Sequence, residues 1–157
     1  MANQSGSGVS PLLLLGIAGL IVLGFIGCSN TANPAPPSGQ TLTAIPDDVQ
    51  IQNVAQMTQM AGEEIAAQGV KVAHVAADEG FWMDLVGGRV WVELIGSGES
   101  PYTVRDGDIV SFTGRIVPHG PTYPAPLGMC SQADYDALSA QPSHIEVPYD
   151  ALAFGVG

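Results

Sequence analysis

The strongest constraint on the fold is a pair of alternating apolar and polar segments on either side of Gly87-Gly88. Successive side chains of a β-strand point to opposite faces, so this alternation predicts two strands. Two glycines between them predict a tight hairpin, because glycine adopts the positive φ angles of a type I′ turn. We therefore expect strands over Phe81–Val86 and Arg89–Ile95, with Val86 opposite Arg89 and Asp84 opposite Trp91.

The predicted hairpin has one apolar face and one mixed face. The mixed face carries Trp82, Asp84, Trp91 and Glu93. The apolar face, which we expect to line a core, is formed by Phe81, Met83, Leu85, Val90, Val92 and Leu94.

Further strands are predicted before and after this hairpin. Glu64–Ala76 alternates and is interrupted at Gly69, which predicts a bulge or bend. Ile109–Val117 and His144–Val147 are predicted as the last two strands, with a short helix capped by Ser131 between them. Five short strands with these turns predict a mainly β fold, a small five-stranded OB-like barrel with one or two short helices.

The same region is similar to the small exported OB-fold domains of bacteria. The similarity covers residues 60–117, and its matching positions are Ala61-Gly62, Gly69-Val70, Val72, Phe81-Trp82, Val90-Trp91-Val92, Gly107-Asp108, Val110 and Phe112-Thr113-Gly114. The resemblance implies an OB fold and a location in the cell envelope. It implies no defined activity, because one fold serves many functions.

An uncharged apolar segment, Leu12–Cys28, precedes the predicted barrel and indicates a membrane. Phe25-Ile26-Gly27-Cys28 resembles the end of a bacterial lipoprotein signal, in which Cys28 would be lipidated. The alternative is an uncleaved single-pass anchor, although 17 residues at 1.5 Å each span only about 25 Å of a hydrocarbon core of about 30 Å. The first eleven residues contain no Lys or Arg to favour either alternative. Both place the remainder at the extracytoplasmic face of the cell membrane.

The chain therefore divides into three predicted parts. Residues 1–28 are the lipoprotein signal or transmembrane anchor, and residues 29–44, rich in Pro, Gly and Ser, are a disordered tether. Residues 45–157 are the barrel domain, which we expect to begin with a helix over Asp48–Met60.

The charge of the chain excludes nucleic acid as a partner. The formal net charge is -11, with only four Lys and Arg residues. Proteins bind phosphate backbones by placing basic side chains against them, and this surface would repel them. The partners that remain are the membrane, through the N-terminal segment, and another envelope protein or a glycan.

The mixed face of the hairpin is the candidate binding site, because OB folds bind ligands across their second and third strands. Trp82 and Trp91 beside Asp84 and Glu93 suit a sugar ring, or a cationic peptide held by cation–π and charge contacts. The alternative is that the predicted helix Asp48–Met60 covers this face and buries both tryptophans.

No catalytic, metal or cofactor site is predicted. His74, His119 and His144 lack the close spacing of zinc ligands; we expect His74 to be a hydrogen-bonded barrel residue and His119 to be solvated. Asp106-Gly107-Asp108 lacks the remaining ligands of a calcium loop and is interpreted as a turn. Cys28 and Cys130 could pair only if Cys28 is not lipidated.

These observations predict a non-catalytic, membrane-tethered extracytoplasmic module that binds a partner or scaffolds an envelope assembly. Its partner would contact Trp82 and Trp91 or the loop Pro118–Gly128. One alternative is a lipoprotein that binds a glycan or small ligand with the same tryptophans. A second is an unrecognised envelope hydrolase or a thiol enzyme using Cys130.

Overall fold

The structure is a computed structural model that describes residues 40–45, 47 and 49–155. The predicted membrane segment Leu12–Cys28, the lipidation of Cys28 and tether residues 29–39 lie outside these described residues. Within the described part, no helix combines the length and the apolar character needed to cross a membrane.

The described chain forms one eight-stranded sheet and two α-helices. The strands are β1 (Leu42–Ile45), β2 (Gln50–Ile51), β3 (Glu64–Ala77), β4 (Gly80–Leu85), β5 (Gly88–Ile95), β6 (Ile109–Pro118), β7 (Ser143–Pro148) and β8 (Leu152–Phe154). The helices are α1 (Val54–Gln59) and α2 (Gln132–Ser139), and a 3-10 turn spans Tyr149–Ala151.

Five of these strands close into a barrel. Neighbouring strands follow the order β3-β4-β5-β7-β6, and β6 pairs again with β3. Only β5 and β7 run parallel; the other neighbours in the barrel are antiparallel. The predicted mainly β, five-stranded OB-like barrel is confirmed.

The predicted irregularity at Gly69 allows β3 to take part in both ends of this closure. Gly69 has a φ of 61°, its N–H donates to Ser111 Oγ at 2.9 Å, and the pairing with β6 shifts between Ala67 and Val70. Before the bulge β3 pairs with β1 and β6; after it the pairing with β6 continues to Lys71, and from Val72 onward β3 pairs with β4. A bulge bends its strand, so one long strand joins both edges of the barrel sheet.

The hairpin of β4 and β5 has the predicted faces but not the predicted pairing. Trp91 lies opposite Trp82 rather than Asp84, and Leu85 pairs with Gly88. The turn consists of Val86 and Gly87, because Gly87 (φ 87°) provides the positive φ of the second turn position. Val86 is held there by backbone hydrogen bonds to Gln52 and Val54.

The predicted register is therefore wrong by two residues. A shift of two leaves every side chain on its original face, whereas a shift of one would reverse them. The predicted apolar face is confirmed: all six of its residues are buried in the barrel core with Val72, Val110, Phe112, Ile116, Ile145 and Val147.

The region before β3 differs from the prediction in two respects. The predicted tether 29–44 includes Leu42, Thr43 and Ala44, which belong to β1 and pair with β3. Leu42 and Ala44 are buried in the core, and this burial stabilises the strand. The disordered assignment is wrong for these residues.

The predicted helix over Asp48–Met60 is also shorter than expected. Gln50–Ile51 forms β2, and α1 begins after Asn53. The Asn53 side chain accepts from Gln56 N–H, and the Gln56 side chain accepts from Asn53 N–H. This capping box fixes the start of the helix. α1 packs against β2 and β5 with Met57 in the barrel core, so it does not cover the tryptophans.

Candidate functional site

The predicted binding face lies on the outside of the barrel. His74 pairs with Trp82, and Trp82 pairs with Trp91. His144 continues the row on β7, because Ile145 and Val92, the residues that follow His144 and Trp91, are paired. We call these four residues, His74, Trp82, Trp91 and His144, the tryptophan row.

Both tryptophans are buried, with exposed fractions of 1% for Trp82 and 0% for Trp91. Their rings meet edge to face, with centroids 5.2 Å apart and planes at 64°. Such pairs are a favourable aromatic arrangement. The tryptophans form a second hydrophobic cluster with Ala76, Ala77 and Leu138, separate from the barrel core.

The covering segment is the connection from β6 to β7, residues 119–142, which we call the cap. Its two ends meet where His119 N–H donates to the Pro142 carbonyl at 2.9 Å. Leu138 of α2 is fully buried against the tryptophans, and Tyr123 and Met129 pack on the same cluster. The alternative in which this face is covered and both tryptophans are buried is thus confirmed. The expectation that residues 48–60 cover them is wrong, because α1 is engaged elsewhere.

α2 begins where the sequence predicts. Ser131 Oγ accepts from Asp134 N–H at 3.1 Å, which satisfies a helix donor that has no partner within the helix. Asp134 also accepts from Trp82 Nε1 at 3.0 Å and lies 3.7 Å from His74 Nε2. His74 Nδ1 lies 3.5 Å from Asp106. These contacts attach α2 to β3 and β4, and they show His74 hydrogen-bonded on the barrel, as predicted.

The two predicted carboxylates lie in different environments. Asp84 pairs across the hairpin with Arg89, with 3.5 Å between Oδ1 and Nε. Glu93 accepts a short hydrogen bond from the Tyr123 hydroxyl and lies 3.5 Å from His144 Nε2. The four predicted site residues therefore do not form one open surface: the tryptophans are buried, Asp84 is near the turn, and Glu93 belongs to a polar cluster.

That polar cluster joins the cap to the barrel. His119 Nδ1 lies 2.9 Å from His144 Nδ1, and His119 Nε2 lies 3.0 Å from the Leu138 carbonyl. The Tyr123 ring stacks on His119 with centroids 4.6 Å apart, and its hydroxyl lies 3.4 Å from His144 Nε2. Glu146 approaches the same nitrogen at 3.5 Å. The prediction that His119 is solvated is wrong, because the cap folds it onto the barrel.

Burial dominates the protonation of this cluster. It lowers the pKa of His144, although the neighbouring Glu93 acts in the opposite direction. It raises the pKa of Tyr123, as does the hydrogen bond to Glu93. At neutral pH the phenol is therefore a neutral donor. No sequence signal identified this cluster, since His119 and His144 are 25 residues apart.

Several buried polar atoms lack hydrogen-bond partners among the described residues. Three of the four belong to the cap or to the row beneath it: Trp91 Nε1, Ser139 Oγ and Gln141 Oε1. The Gln141 amide nitrogen donates to the Arg89 carbonyl at 2.8 Å, so its side chain lies against β5. Each unsatisfied group costs about 1–3 kcal/mol. The cap and the tryptophan row therefore contain buried polar groups whose hydrogen-bonding capacity is not fully used.

The loop Pro118–Gly128, which joins the end of β6 to the first part of the cap, is largely exposed. Leu127 is 82% exposed, more than any other large apolar residue that the structure describes. Its backbone is held in place nevertheless: the Leu127 carbonyl accepts from Asp78 N–H at 3.2 Å, and Cys130 N–H donates to the Ala76 carbonyl at 2.7 Å. The loop, whose backbone is bonded to the barrel, thus presents one large apolar side chain to solvent.

Three further observations concern a surface groove, metal ligands and cysteine among the described residues. A groove of about 280 Å³ is lined by charges of both signs, from Glu64, Arg115 and Glu146. Within the described residues, no group of three or more His, Cys, Asp or Glu side chains is placed to hold a metal ion. The structure records no free cysteine in its described part.

Comparison of this chain with protein-family models, with curated proteins and with solved structures finds no match. The geometry of the described residues is therefore the basis for the function proposed below.

Proposed function

We propose that this protein is a non-catalytic binding or scaffolding module, tethered by its N-terminal segment to the extracytoplasmic face of the cell membrane. Its partner, another envelope protein, contacts the loop Pro118–Gly128 around Leu127. The observation that carries this proposal is the 82% exposure of Leu127 on a loop whose backbone is attached to the barrel.

A fixed, exposed apolar side chain suits protein recognition. Binding is weakened by the entropy lost when mobile groups become ordered, so a loop that is already ordered binds more tightly for the same contacts. Interfaces obtain most of their affinity from a few central side chains that fill pockets on the partner. Leu127 has the exposure that such an anchor needs, whereas the tryptophans do not.

The charge around the loop indicates the character of the partner. The carboxylate of Asp78 lies directly beneath Gly128, where an added Cβ would come within 2.3 Å of it. The whole chain carries a net charge of -11. A partner with an apolar pocket and a basic rim would complement this surface, since opposite charges steer association and fix orientation.

Site-specific photo-crosslinking tests this proposal in the full-length protein in its native membrane. A photoreactive residue at Leu127 should crosslink to a discrete partner protein, and Leu127→Asp should abolish co-purification of that partner. Val86 is the matched control, because it is also apolar and 56% exposed but lies at the β4–β5 turn. Equal products from both positions, or none from Leu127, would contradict the proposed contact.

The tether is tested separately by membrane fractionation. The full-length protein should sediment with membranes and be accessible to protease only from the extracytoplasmic side. Cys28→Ser distinguishes the two anchors: it prevents lipid attachment, whereas an uncleaved apolar anchor retains the protein in the membrane regardless. Recovery of the unmodified protein in the cytoplasmic soluble fraction would contradict tethering.

A second candidate function is glycan binding at the tryptophan row. It is favoured by Trp91 Nε1, a buried donor without a partner among the described residues, which a sugar hydroxyl would satisfy. Stacking of a sugar on the indoles requires that the cap moves away. A saturable change in tryptophan fluorescence with added oligosaccharide, lost in Trp91→Phe, would support this candidate. No change over the same range would eliminate it for the sugars used.

A further inference from the structure

Two polar contacts attach the cap to the barrel. Asp134, in α2, contacts Trp82 and His74. His119, the first residue of the cap, contacts His144. We propose that the His119–His144 contact is a proton-sensitive latch: it favours the closed cap at neutral pH, and release of the His119 end becomes more favourable as the pH falls below about 6.5.

The hydrogen bonds determine which nitrogens carry protons when both histidines are neutral. His119 Nε2 lies 3.0 Å from the Leu138 carbonyl, which can only accept, so this nitrogen carries a proton. The Nδ1 of neutral His119 is then an acceptor. It faces His144 Nδ1 at 2.9 Å, so the proton of His144 is on Nδ1 and its Nε2 is unprotonated.

This arrangement limits the number of protons that the closed latch can bind. A first added proton goes to His144 Nε2, which faces Glu93 of β5, Glu146 of β7 and the Tyr123 hydroxyl of the cap. The bond between the two Nδ1 atoms survives this step. A second proton would place two N–H donors against each other at 2.9 Å, so the contact must break before His119 becomes charged.

The open cap has no such limit, because two solvated histidines each bind a proton. Acid therefore favours the open state, which binds more protons than the closed state. Burial also lowers the pKa of His144, so the first proton enters the closed latch less readily than it enters a solvated histidine. Both effects act in the same direction.

The size of the effect follows from the excluded proton. A solvated histidine has a pKa of about 6.5, so a state that cannot bind one such proton loses population by a factor of about 30 between pH 7.5 and pH 5.0. The lowered affinity for the first proton adds to this factor. The ratio of open to closed cap should therefore rise at least about 30-fold over this range.

Release of the His119 end affects the two tryptophans of the tryptophan row differently. His144 neighbours Trp91, whereas Trp82 is held under α2 by its hydrogen bond to Asp134. Release of the His119 end should expose Trp91 and leave Trp82 covered. Opening also lets water bond to Trp91 Nε1 and Gln141 Oε1, two buried atoms without partners among the described residues. These new hydrogen bonds lower the free-energy cost of opening the cap.

Native-state amide exchange of the full-length protein in detergent tests the latch. The His119 amide, which donates to the Pro142 carbonyl, reports cap opening, and the Leu94 amide, which donates to the Glu79 carbonyl, reports the barrel. After correction for the intrinsic exchange rate, protection at His119 should fall at least about 30-fold from pH 7.5 to pH 5.0, while that at Leu94 stays within about threefold.

Two histidine variants identify the responsible group. His119→Gln can still donate to the Leu138 carbonyl but does not titrate. Its cap protection should therefore lose the roughly 30-fold pH dependence caused by the excluded proton and keep only the part that His144 contributes. His74→Gln is the matched control and should retain the full pH dependence. A parallel fall at His119 and Leu94 in the wild type, or an unchanged fall in His119→Gln, would overturn the proposal. The wild-type comparison is decisive even if His119→Gln does not fold.

Discussion

Gly80 is the position where one added methyl group should most clearly disturb the tryptophan row. It is buried at the start of β4, and a Cβ built there lies 2.1 Å from Cζ2 and 2.5 Å from Cη2 of Trp91. These atoms belong to a rigid ring that is itself fully buried, so neither side can yield without moving Trp91 away from Trp82. The backbone of Gly80 does not have a positive φ, so an alanine there is disturbed by the contact alone.

The expected cost combines two opposing effects. Overpacking of a well-packed core costs about 1–3 kcal/mol, while replacement of glycine by alanine stabilises by about 0.4–1 kcal/mol through the unfolded chain. Gly80→Ala should therefore lower the free energy of unfolding by about 1–2 kcal/mol. In a Trp91→Phe background, which lacks Cζ2 and Cη2, the same change should be neutral or slightly stabilising.

Urea unfolding of the full-length protein in detergent, followed by far-ultraviolet circular dichroism, measures all four members of this double-mutant cycle. Gly120→Ala is the matched control, because nothing lies within 4 Å of its added Cβ. It should stabilise the protein slightly. An equal cost for Gly80→Ala in both backgrounds would refute the reasoning, since the contact with the indole could not then be its cause.

The remaining predictions concern the cap. Ser131→Ala removes the acceptor for Asp134 N–H and should destabilise α2 by about 1 kcal/mol, seen as faster amide exchange in α2 at unchanged exchange in β5; an equal change in both would contradict a local cap. Burial and Glu93 raise the pKa of Tyr123, so its neutral phenol contributes stability that is complete below about pH 10 and is lost as the pH rises further. Tyr123→Phe should therefore remove the last-titrating part of the tyrosinate absorbance and reduce the loss of stability in alkali, and an unchanged titration curve would contradict this.

The strands and their faces could be predicted from the sequence because both depend on local alternation. Phe81, Met83 and Leu85 are spaced by two residues, and their burial in the barrel core follows from that spacing. The bulge at Gly69 and the N-cap at Ser131 were equally local, since each requires a particular residue type at one position. These features specify the elements of an OB-like barrel.

The register of the hairpin could not be predicted in the same way. Gly87-Gly88 permits more than one two-residue turn. The turn that forms is Val86-Gly87, in which Val86 N–H donates to the Gln52 carbonyl and the Val86 carbonyl accepts from Val54 N–H. Those residues lie far from the hairpin in sequence. The choice between turns is therefore made by a contact that exists only in the folded barrel.

The candidate site also combines features that local sequence predicts with features that only the folded structure shows. The sequence placed Trp82, Asp84, Trp91 and Glu93 on one outer face and predicted a helix after Ser131, and both are present in the structure. It did not indicate that this helix belongs to the segment covering the face. The burial of the tryptophans is decided by Leu138, Tyr123 and Met129, which follow them by 32 residues or more in the chain.

The sequence by itself determined the five barrel strands, their side-chain faces and the acidic charge, because each depends on residue type and local spacing. The tertiary structure alone decided that His119 meets His144 with 2.9 Å between their Nδ1 atoms, and that Leu127 rather than a tryptophan faces solvent. The physical reason is that the long connection from β6 to β7 could have extended into solvent or folded onto the barrel. It folds back because two indoles on the outer face remove a large apolar area from water when they are covered.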